Sequence, residues 1–348
     1  MEKKKIVVIG GGIAGMESSS FLAAMDYDVT IIEKADKLGG HVRNWERLFP
    51  TMRLGAEVLD FLNQGVEGKV NVVYNTEVTD ITKKKDVFTI TTDGGKNIEA
   101  DAILVTTGYD LFDAQKKEEY GYKIYDNVIT SSDLEMLFTE GKKILTADGK
   151  IPKRIGFVHC VGSRDEKVGN AYCSKVCCVT AVKQAVEIKD RLPEAEVFCF
   201  YMDMRMFGMH FEFLYKEAQE KYGVNFIRGR LSEASENMDG SIVIKVEDTL
   251  AGKPLRMNLD LLVLMVGFVP SEGSNKVGKM IGLHTGPNKF FKTQDQHTLT
   301  NVSNIEGVFF AGACTSPKTI TETITDARAA AVTVADFLND QPLGRRTI

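Results

Sequence analysis

The 348-residue chain lacks any uninterrupted apolar stretch of the ~18–20 residues that a membrane-spanning helix needs. MEKKKIVVIGGG passes directly from lysines into a strand-like run, with no apolar stretch of secretory length. The expectation is a cytoplasmic protein with no transmembrane segment. Positive charge is not in excess. The 43 Lys and Arg stand against 48 Asp and Glu, a formal net charge of −5 that argues against nucleic acid as a partner. Six cysteines in this length are too few for a disulfide framework, and a thioredoxin-type C-x-x-C is absent. No internal repeat, low-complexity run or long linker interrupts the chain.

What is present fits a globular protein larger than one ordinary domain, with 43% apolar and 26% charged residues. Strand-like and helix-like segments alternate, which predicts parallel α/β units. Three blocks are expected. Residues 1–112 form the first part of a cofactor-binding domain, 113–270 an inserted second α/β domain, and 271–348 the second part of the first domain.

The first block carries the sharpest pattern. Lys5-Ile6-Val7-Val8-Ile9 reads as a buried strand. Gly10-Gly11-Gly12-Ile13-Ala14-Gly15 follows at once and opens an apolar helix. This is G-x-G-x-x-G in the strand–turn–helix setting that gives it meaning. Gly10 makes the tight turn, Gly12 admits a pyrophosphate, and Gly15 lets helix and strand pack closely. The helix N-terminus offers free N–H groups and the positive end of a dipole. A second strand, Val29-Thr30-Ile31-Ile32, ends in Glu33, whose carboxylate can accept from ribose hydroxyls. Leu38-Gly39-Gly40 adds a second glycine turn. Two later strands end in small-residue turns, Ala102 to Gly108 and Gly307 to Cys314. Near the C-terminus, Thr319-Ile320-Thr321-Glu322 reads as a capping box. Ile320, Ile324, Ala327, Ala331, Val334 and Leu338 then recur at helical spacing. The positive end of that helix would favour an electron-rich ligand.

The second block carries four of the six cysteines. Arg154-Ile155-Gly156-Phe157-Val158-His159-Cys160 reads as a strand ending in cysteine, and Tyr172-Cys173-Ser174-Lys175-Val176-Cys177-Cys178 follows a loop. The spacing is C-x12-C-x3-C-C. Val179 to Arg191 reads as a helix, and Cys173 and Cys177 would share a helical face if that turn is already helical. Four thiolates meeting from a strand tip and a helix start suit a [4Fe–4S] cluster, and the helix dipole would help keep them deprotonated. A structural zinc site, a thiol–disulfide relay and buried inert cysteines remain open on chemistry alone.

The glycine segments together resemble the two-dinucleotide-binding-domain flavoproteins of the thioredoxin reductase superfamily. That resemblance implies an α/β fold in which a Rossmann-type FAD domain carries an inserted second α/β domain. It also implies FAD contacts at Gly40, Thr107, Gly108, Gly312 and Ala313. The full candidate cofactor-binding set is Gly10, Gly12, Ile13, Ala14, Gly15, Glu33, Lys34, Gly40, His41, Val78, Thr107, Gly108, Gly312, Ala313, Lys318 and Ile320. The family usually has Asp where Cys314 stands, and a thiol is a poor acceptor in its place.

A closer resemblance rests on Cys160-Val161-Gly162-Ser163-Arg164-Asp165, on the Tyr172 to Cys178 run, on Gly312-Ala313-Cys314 with Pro317-Lys318, and on Phe226-Ile227-Arg228-Gly229-Arg230. These look like the flavoprotein A subunit of heterodisulfide reductase. The likeness implies that Cys160, Cys173, Cys177 and Cys178 ligate one [4Fe–4S] cluster, and that Lys318 and Ile320 lie near the isoalloxazine. The chain carries no ferredoxin-like module and no cysteine just after Gly39-Gly40, unlike the longer methanogen subunits. It looks more like the A subunit of the heterodisulfide-reductase-like complex of sulfur-oxidising bacteria. Other subunits of such a complex are the expected partners, and a homodimer is expected by analogy. A subunit of a quinone-interacting complex and an FAD-dependent thiol/disulfide reductase are the alternatives. The second block lacks its own glycine fingerprint, so no NAD(P) is expected. Asp203 reads as a solvated turn residue, Cys199 as core, and His41 and His159 as structural. No side chain is assigned as a catalytic acid, base or nucleophile.

Overall fold

The computed structural model describes residues 3–339. These divide into two compact units. Among the described residues the first comprises 3–43, 56–110 and 269–339, and the second 44–55 and 111–268.

The sheet of the first unit is parallel, in the order Val308–Phe310, Ala102–Val105, Lys5–Ile9, Asp28–Ile32, Asn71–Val73. Its central strand is apolar from Ile6 to Ile9 because both faces are covered there. Ile6 and Val8 join a core with Met16, Leu22, Ala327, Ala331 and Val334, while Val7 and Ile9 face the opposite way, among Phe88, Ile90, Val277 and Phe310. Successive side chains of a strand point to opposite faces, so one run feeds two cores. The helices Ile13–Ala24 and Ile320–Leu338 lie on the first face. An antiparallel meander of Val78–Lys84, Val87–Thr92 and Asn97–Ala100 covers the second.

The second unit repeats this plan. Its parallel sheet runs Val128–Thr130, Leu261–Val266, Arg154–Val161, Glu196–Tyr201, Asn225–Arg228. It too has a three-stranded antiparallel meander, Leu231–Glu236, Ile242–Asp248 and Lys253–Leu259, placed in the chain just before the strand Leu261–Val266. The duplication is invisible in sequence because burial on both faces asks only for apolar residues, not for the same ones.

One short segment departs from the division expected above. Residues 44–55 belong to the second unit, although they fall within the first block in chain order. Their side chains explain why. Phe49 packs edge-on against Phe211 at 5.6 Å, Glu46 pairs with Arg191, and Trp45 lies 5.2 Å from the ammonium of Lys183. Lys183 is fully buried, 2.6 Å from Glu135 on one side and 2.6 Å from Glu187 on the other.

Candidate functional site

The glycine turn of the first unit is shaped by what its glycines leave out. Gly10 has φ +108, a region that side chains avoid. A Cβ at Gly15 would sit 2.0 Å from the carbonyl oxygen of Gly10, so helix and strand meet there only without a side chain. Gly12 is different: a Cβ would meet nothing within 4 Å, and space opens in front of it. Gly12 is also the N-cap of the helix Ile13–Ala24 and offers no side-chain cap. The first-turn N–H groups therefore face open space without a side-chain acceptor at the cap, as an anion site requires.

Three other segments close on this turn. The Gly39 N–H donates to the Gly11 carbonyl at 2.8 Å, and a Cβ on Gly40 would lie 3.2 Å from Gly12 Cα. Thr106 donates its hydroxyl to the Gly10 carbonyl at 2.7 Å, which brings the Thr107–Gly108 turn alongside. A Cβ on Gly312 would come within 2.7 Å of the Ala14 methyl. Glu33 is held on the turn: its carboxylate accepts from Gly11 N at 2.6 Å and from Ala35 N at 2.8 Å. Ile13 and Ile320 are half-buried beside these segments, and Lys34 is exposed. Val78 is packed in the core face that holds Phe88 and Ile90. His41 stacks on Tyr109 with ring centroids 4.5 Å apart and its Nε2 lies 2.9 Å from the Tyr109 carbonyl. Burial raises the Tyr109 hydroxyl well above its ordinary pKa.

Cys314 has a clear place. It is fully buried among Phe291, Phe310 and Val308, with its sulfur 3.4 Å from the Val105 carbonyl and 3.3 Å from that of Ala311. Burial pushes its thiol up to about 12. The side chain is a core group and points no acceptor toward a ligand. The C-terminal helix begins with the capping box expected from sequence: Thr319 accepts from Glu322 N and Glu322 accepts from Thr319 N.

In the second unit the equivalent strand-to-helix connection is built otherwise. The strand Arg154–Val161 reaches Cys160 at φ +60, and positive φ recurs at Gly162, Arg164 and Lys175. A β-branch or bulky side chain would resist such a path, and the connection is pinned by polar contacts instead. Asn170 donates to the Gly162 carbonyl at 2.9 Å. Asp165, buried, accepts from Lys117 at 2.7 Å and Arg230 at 2.8 Å. Burial alone would raise its carboxyl; these cations outweigh that and hold it below the ordinary range.

The helix Cys177–Arg191 starts at Cys177, without a side-chain cap. Cys173 precedes it in an irregular turn with Lys175 at φ +63, so Cys173 and Cys177 do not share a helical face. Cys160, Cys177 and Cys178 are buried and Cys173 is half-buried, all with free thiols. The four influence one another. Burial, then Cys178 and Cys173, pushes the Cys160 thiol up to about 12, with Arg164 opposing. Burial, then Cys160, Cys178 and Cys173, raises Cys177 well above its ordinary value. Burial raises Cys178 as well. Burial is the first cause of the rise at Cys160, Cys177 and Cys178. Among the described residues no group of three or more His, Cys, Asp and Glu side chains is closed into a metal-binding arrangement. The donor set is nevertheless one of soft sulfurs, mutually coupled and mostly shielded from water. That chemistry fits an iron–sulfur group better than a hard cation.

Asp203 is the solvated turn residue expected, its side chain 46% exposed, and it also accepts from Arg164 at 2.6 Å and from Arg228 at 3.4 Å. Met206 is buried and Met209 is exposed. Cys199 is core. His159 is buried with neither ring nitrogen hydrogen-bonded among the described residues, and burial lowers it to about 4.

Comparison with known proteins places this geometry. Residues 1–136 match the family described as pyridine nucleotide-disulphide oxidoreductase. The iron–sulfur A subunit of the CoB–CoM heterodisulfide reductase of Methanocaldococcus jannaschii is 33% identical over 420 aligned positions, covering 95% of this chain and 64% of that one. Over nearly its whole length this chain is similar to heterodisulfide reductase A subunits. The A subunit of the H2:CoB–CoM heterodisulfide,ferredoxin reductase of Methanothermobacter thermautotrophicus is 46% identical over 248 residues, 68% of this chain and 37% of that one. The chain thus spans between about a third and two thirds of these curated relatives. Among solved structures, thioredoxin reductase of Lactococcus lactis aligns with a TM-score of 0.68 at 19% identity, over 97% of this chain and 100% of that one. Thioredoxin reductase of T. acidophilum aligns at 0.66 and 16% identity, over 97% of this chain and 99% of that one. The fold is that of thioredoxin reductase, and the matched family model is one of oxidoreductases. No helix among the described residues is long and apolar enough to cross a membrane.

Sequence reasoning missed Asp326 and Asn301, which hold the Gly312 turn, and Ser274, whose hydroxyl lies 2.6 Å from that of Thr107. The one available signal was an acid one helical turn beyond the capping Glu322.

Proposed function

We propose that this chain is the FAD- and [4Fe–4S]-bearing electron-transfer subunit of a heterodisulfide-reductase-like complex in sulfur metabolism. The observation that carries this reading is the contrast at the two strand-to-helix turns. The first unit leaves helix N–H groups open behind glycines, whereas the second begins its helix at Cys177 and Cys178, with Cys160 at the strand end and Cys173 in the loop before it. Gly12 and the helix start would take the pyrophosphate, Glu33 the adenosine ribose, and the Thr107 and Gly312 turns the flavin end. Cys160, Cys173, Cys177 and Cys178 would hold the cluster. When bound, flavin supplies two-electron chemistry and the cluster one-electron transfer. The residues orient these groups and exclude water. Cys314 supplies no acceptor, and the sulfurs at the second turn leave no glycine cradle for a second nucleotide, so tight NAD(P) binding is not part of the reading. Other subunits of the complex are the partners, in a homodimeric assembly.

A thiol-relay disulfide reductase is the rival. A relay needs a thiolate that a substrate can reach; Cys160, Cys177 and Cys178 are buried. Iron and acid-labile sulfide analysis after anaerobic reconstitution separates the two. The expected result is about four of each per chain beside one FAD. Zinc in their place, or titratable thiols with neither metal, contradicts it.

A further inference from the structure

We propose that Asp326 is a positioning residue that sets the electrostatics of the Gly312 turn by clamping Lys318. The inference rests on the flavin reading of the first unit and deepens it. Asp326 lies in the second turn of the helix Ile320–Leu338, and its side chain is 16% exposed. One carboxylate gathers three elements. Its Oδ2 accepts from Gly312 N at 2.7 Å and its Oδ1 from Asn301 Nδ2 at 2.9 Å. The ammonium of Lys318 lies 3.6 Å from Oδ2. Asn301 is itself buried and donates to the Phe310 carbonyl at 3.0 Å, which fixes the strand that leads into the turn.

Lys318 completes the grip. Its Nζ donates to the Gly312 carbonyl at 3.0 Å and to the Thr315 hydroxyl at 2.6 Å, and lies 3.3 Å from the Ser316 hydroxyl. Gly312 is therefore held by its N–H through Asp326 and by its carbonyl through Lys318. The turn has φ +79 at Gly312 and lies against Ala14 on the glycine-turn helix, so a shift there moves the mouth of the site. Cys314, where related flavoproteins place an acid, is a core thiol, and Asp326 is the carboxylate that reaches this turn from elsewhere in the chain.

The charges oppose one another. Lys318 and the N-terminus of the helix are positive, and both favour an electron-rich ligand. Asp326 offsets the first. With that carboxylate neutralised, the turn keeps its shape but carries an uncompensated cation, and a reduced flavin beside it becomes easier to form.

Asp326→Asn tests this: the amide oxygen can still accept from Gly312 N, while the charge and the bond from Asn301 are lost, a local loss that the double variant shares and that charge compensation must overcome. The measurement is an anaerobic titration of bound flavin against a two-electron reference dye in the purified holoprotein. The expected shift is about tenfold toward the reduced form, or about 30 mV. Lys318→Met is expected to move it about tenfold the other way. The double variant is expected to return near the wild-type value, since both charges are then absent. A purely structural role for Asp326 gives no such compensation, and an unmoved potential in Asp326→Asn with flavin retained overturns the proposal. Should Asp326→Asn not retain flavin, Lys318→Met decides: a shift toward the oxidised form supports the clamp, and no shift overturns it. Absence of FAD from the reconstituted wild type overturns the flavin reading and this inference together, whereas FAD present with unmoved potentials overturns only the inference.

Discussion

The two units share a five-stranded parallel plan, with one edge strand of each drawn from opposite ends of their chain order, and their chemistry parts at the turn after the central strand. In the first unit the chain goes from Ile9 to Ile13 across glycines, and the helix begins at once. In the second it leaves Val161, wanders to Val176, and begins its helix at two adjacent cysteines. The first turn is defined by close backbone approach, so its tolerance is steric. The second is defined by buried polar anchors and sulfurs, so its tolerance is electrostatic. A single scaffold thus offers two kinds of site, and the difference lies in what occupies the helix start.

The sharpest break of the first turn is Gly15→Ala. A methyl there meets the Gly10 carbonyl at 2.0 Å, with backbone on both sides. The expected loss is about 3 kcal/mol of stability by chemical denaturation, accompanied by loss of flavin. Gly12→Ala sharpens the same point from the other side. Its methyl meets nothing, so only the ~1 kcal/mol of a poorer N-cap residue is at stake in the empty protein, while a bound pyrophosphate would collide with it.

The matching break of the second turn is Asp165→Asn. It leaves buried Lys117 with Glu119 alone and loosens the loop before Cys173. Removing one partner of a buried pair costs about 3 kcal/mol. The account expects a comparable loss in denaturation, with metal content lowered and flavin content unchanged.

A smaller effect separates the units by pH. Burial raises the Glu187 carboxyl to about 7, partly offset by Lys183 and reinforced by Glu135 and Glu46. The folded chain thus holds a proton that the unfolded chain releases near 4.5. That contribution is fully present below 4.5 and is lost as pH rises through 7, by about 2–3 kcal/mol. Relative to Glu187→Gln, the wild type is expected to lose stability by that amount between pH 4.5 and 7.5. Parallel curves for the two proteins would remove Glu187 from the account.

Much of this was legible in the sequence, for physical reasons that also mark where legibility stopped. Gly10, Gly12 and Gly15 announce themselves because no other residue serves their backbone geometry. The apolar run Ile6–Ile9 announces a strand covered on both faces. The capping box at Thr319 is a local pattern and was readable for that reason. The start of the cysteine helix was not, because Lys175 at φ +63 breaks the turn that spacing alone would have made helical. Asp326 and Asn301 stayed hidden because their importance arises from contacts with Gly312 that only the fold brings together. The allegiance of residues 44–55 was hidden likewise, resting on Lys183, Arg191 and Phe211 far along the chain.

The central claim, one turn for a dinucleotide and the other for an iron–sulfur group, is tested most directly by measuring flavin and iron together in two reconstituted variants. Gly12→Ala is expected to lose FAD and keep about four irons, and Cys177→Ser to keep FAD and lose its iron. Iron retained at full content in Cys177→Ser, or FAD retained undiminished in Gly12→Ala, would contradict the account.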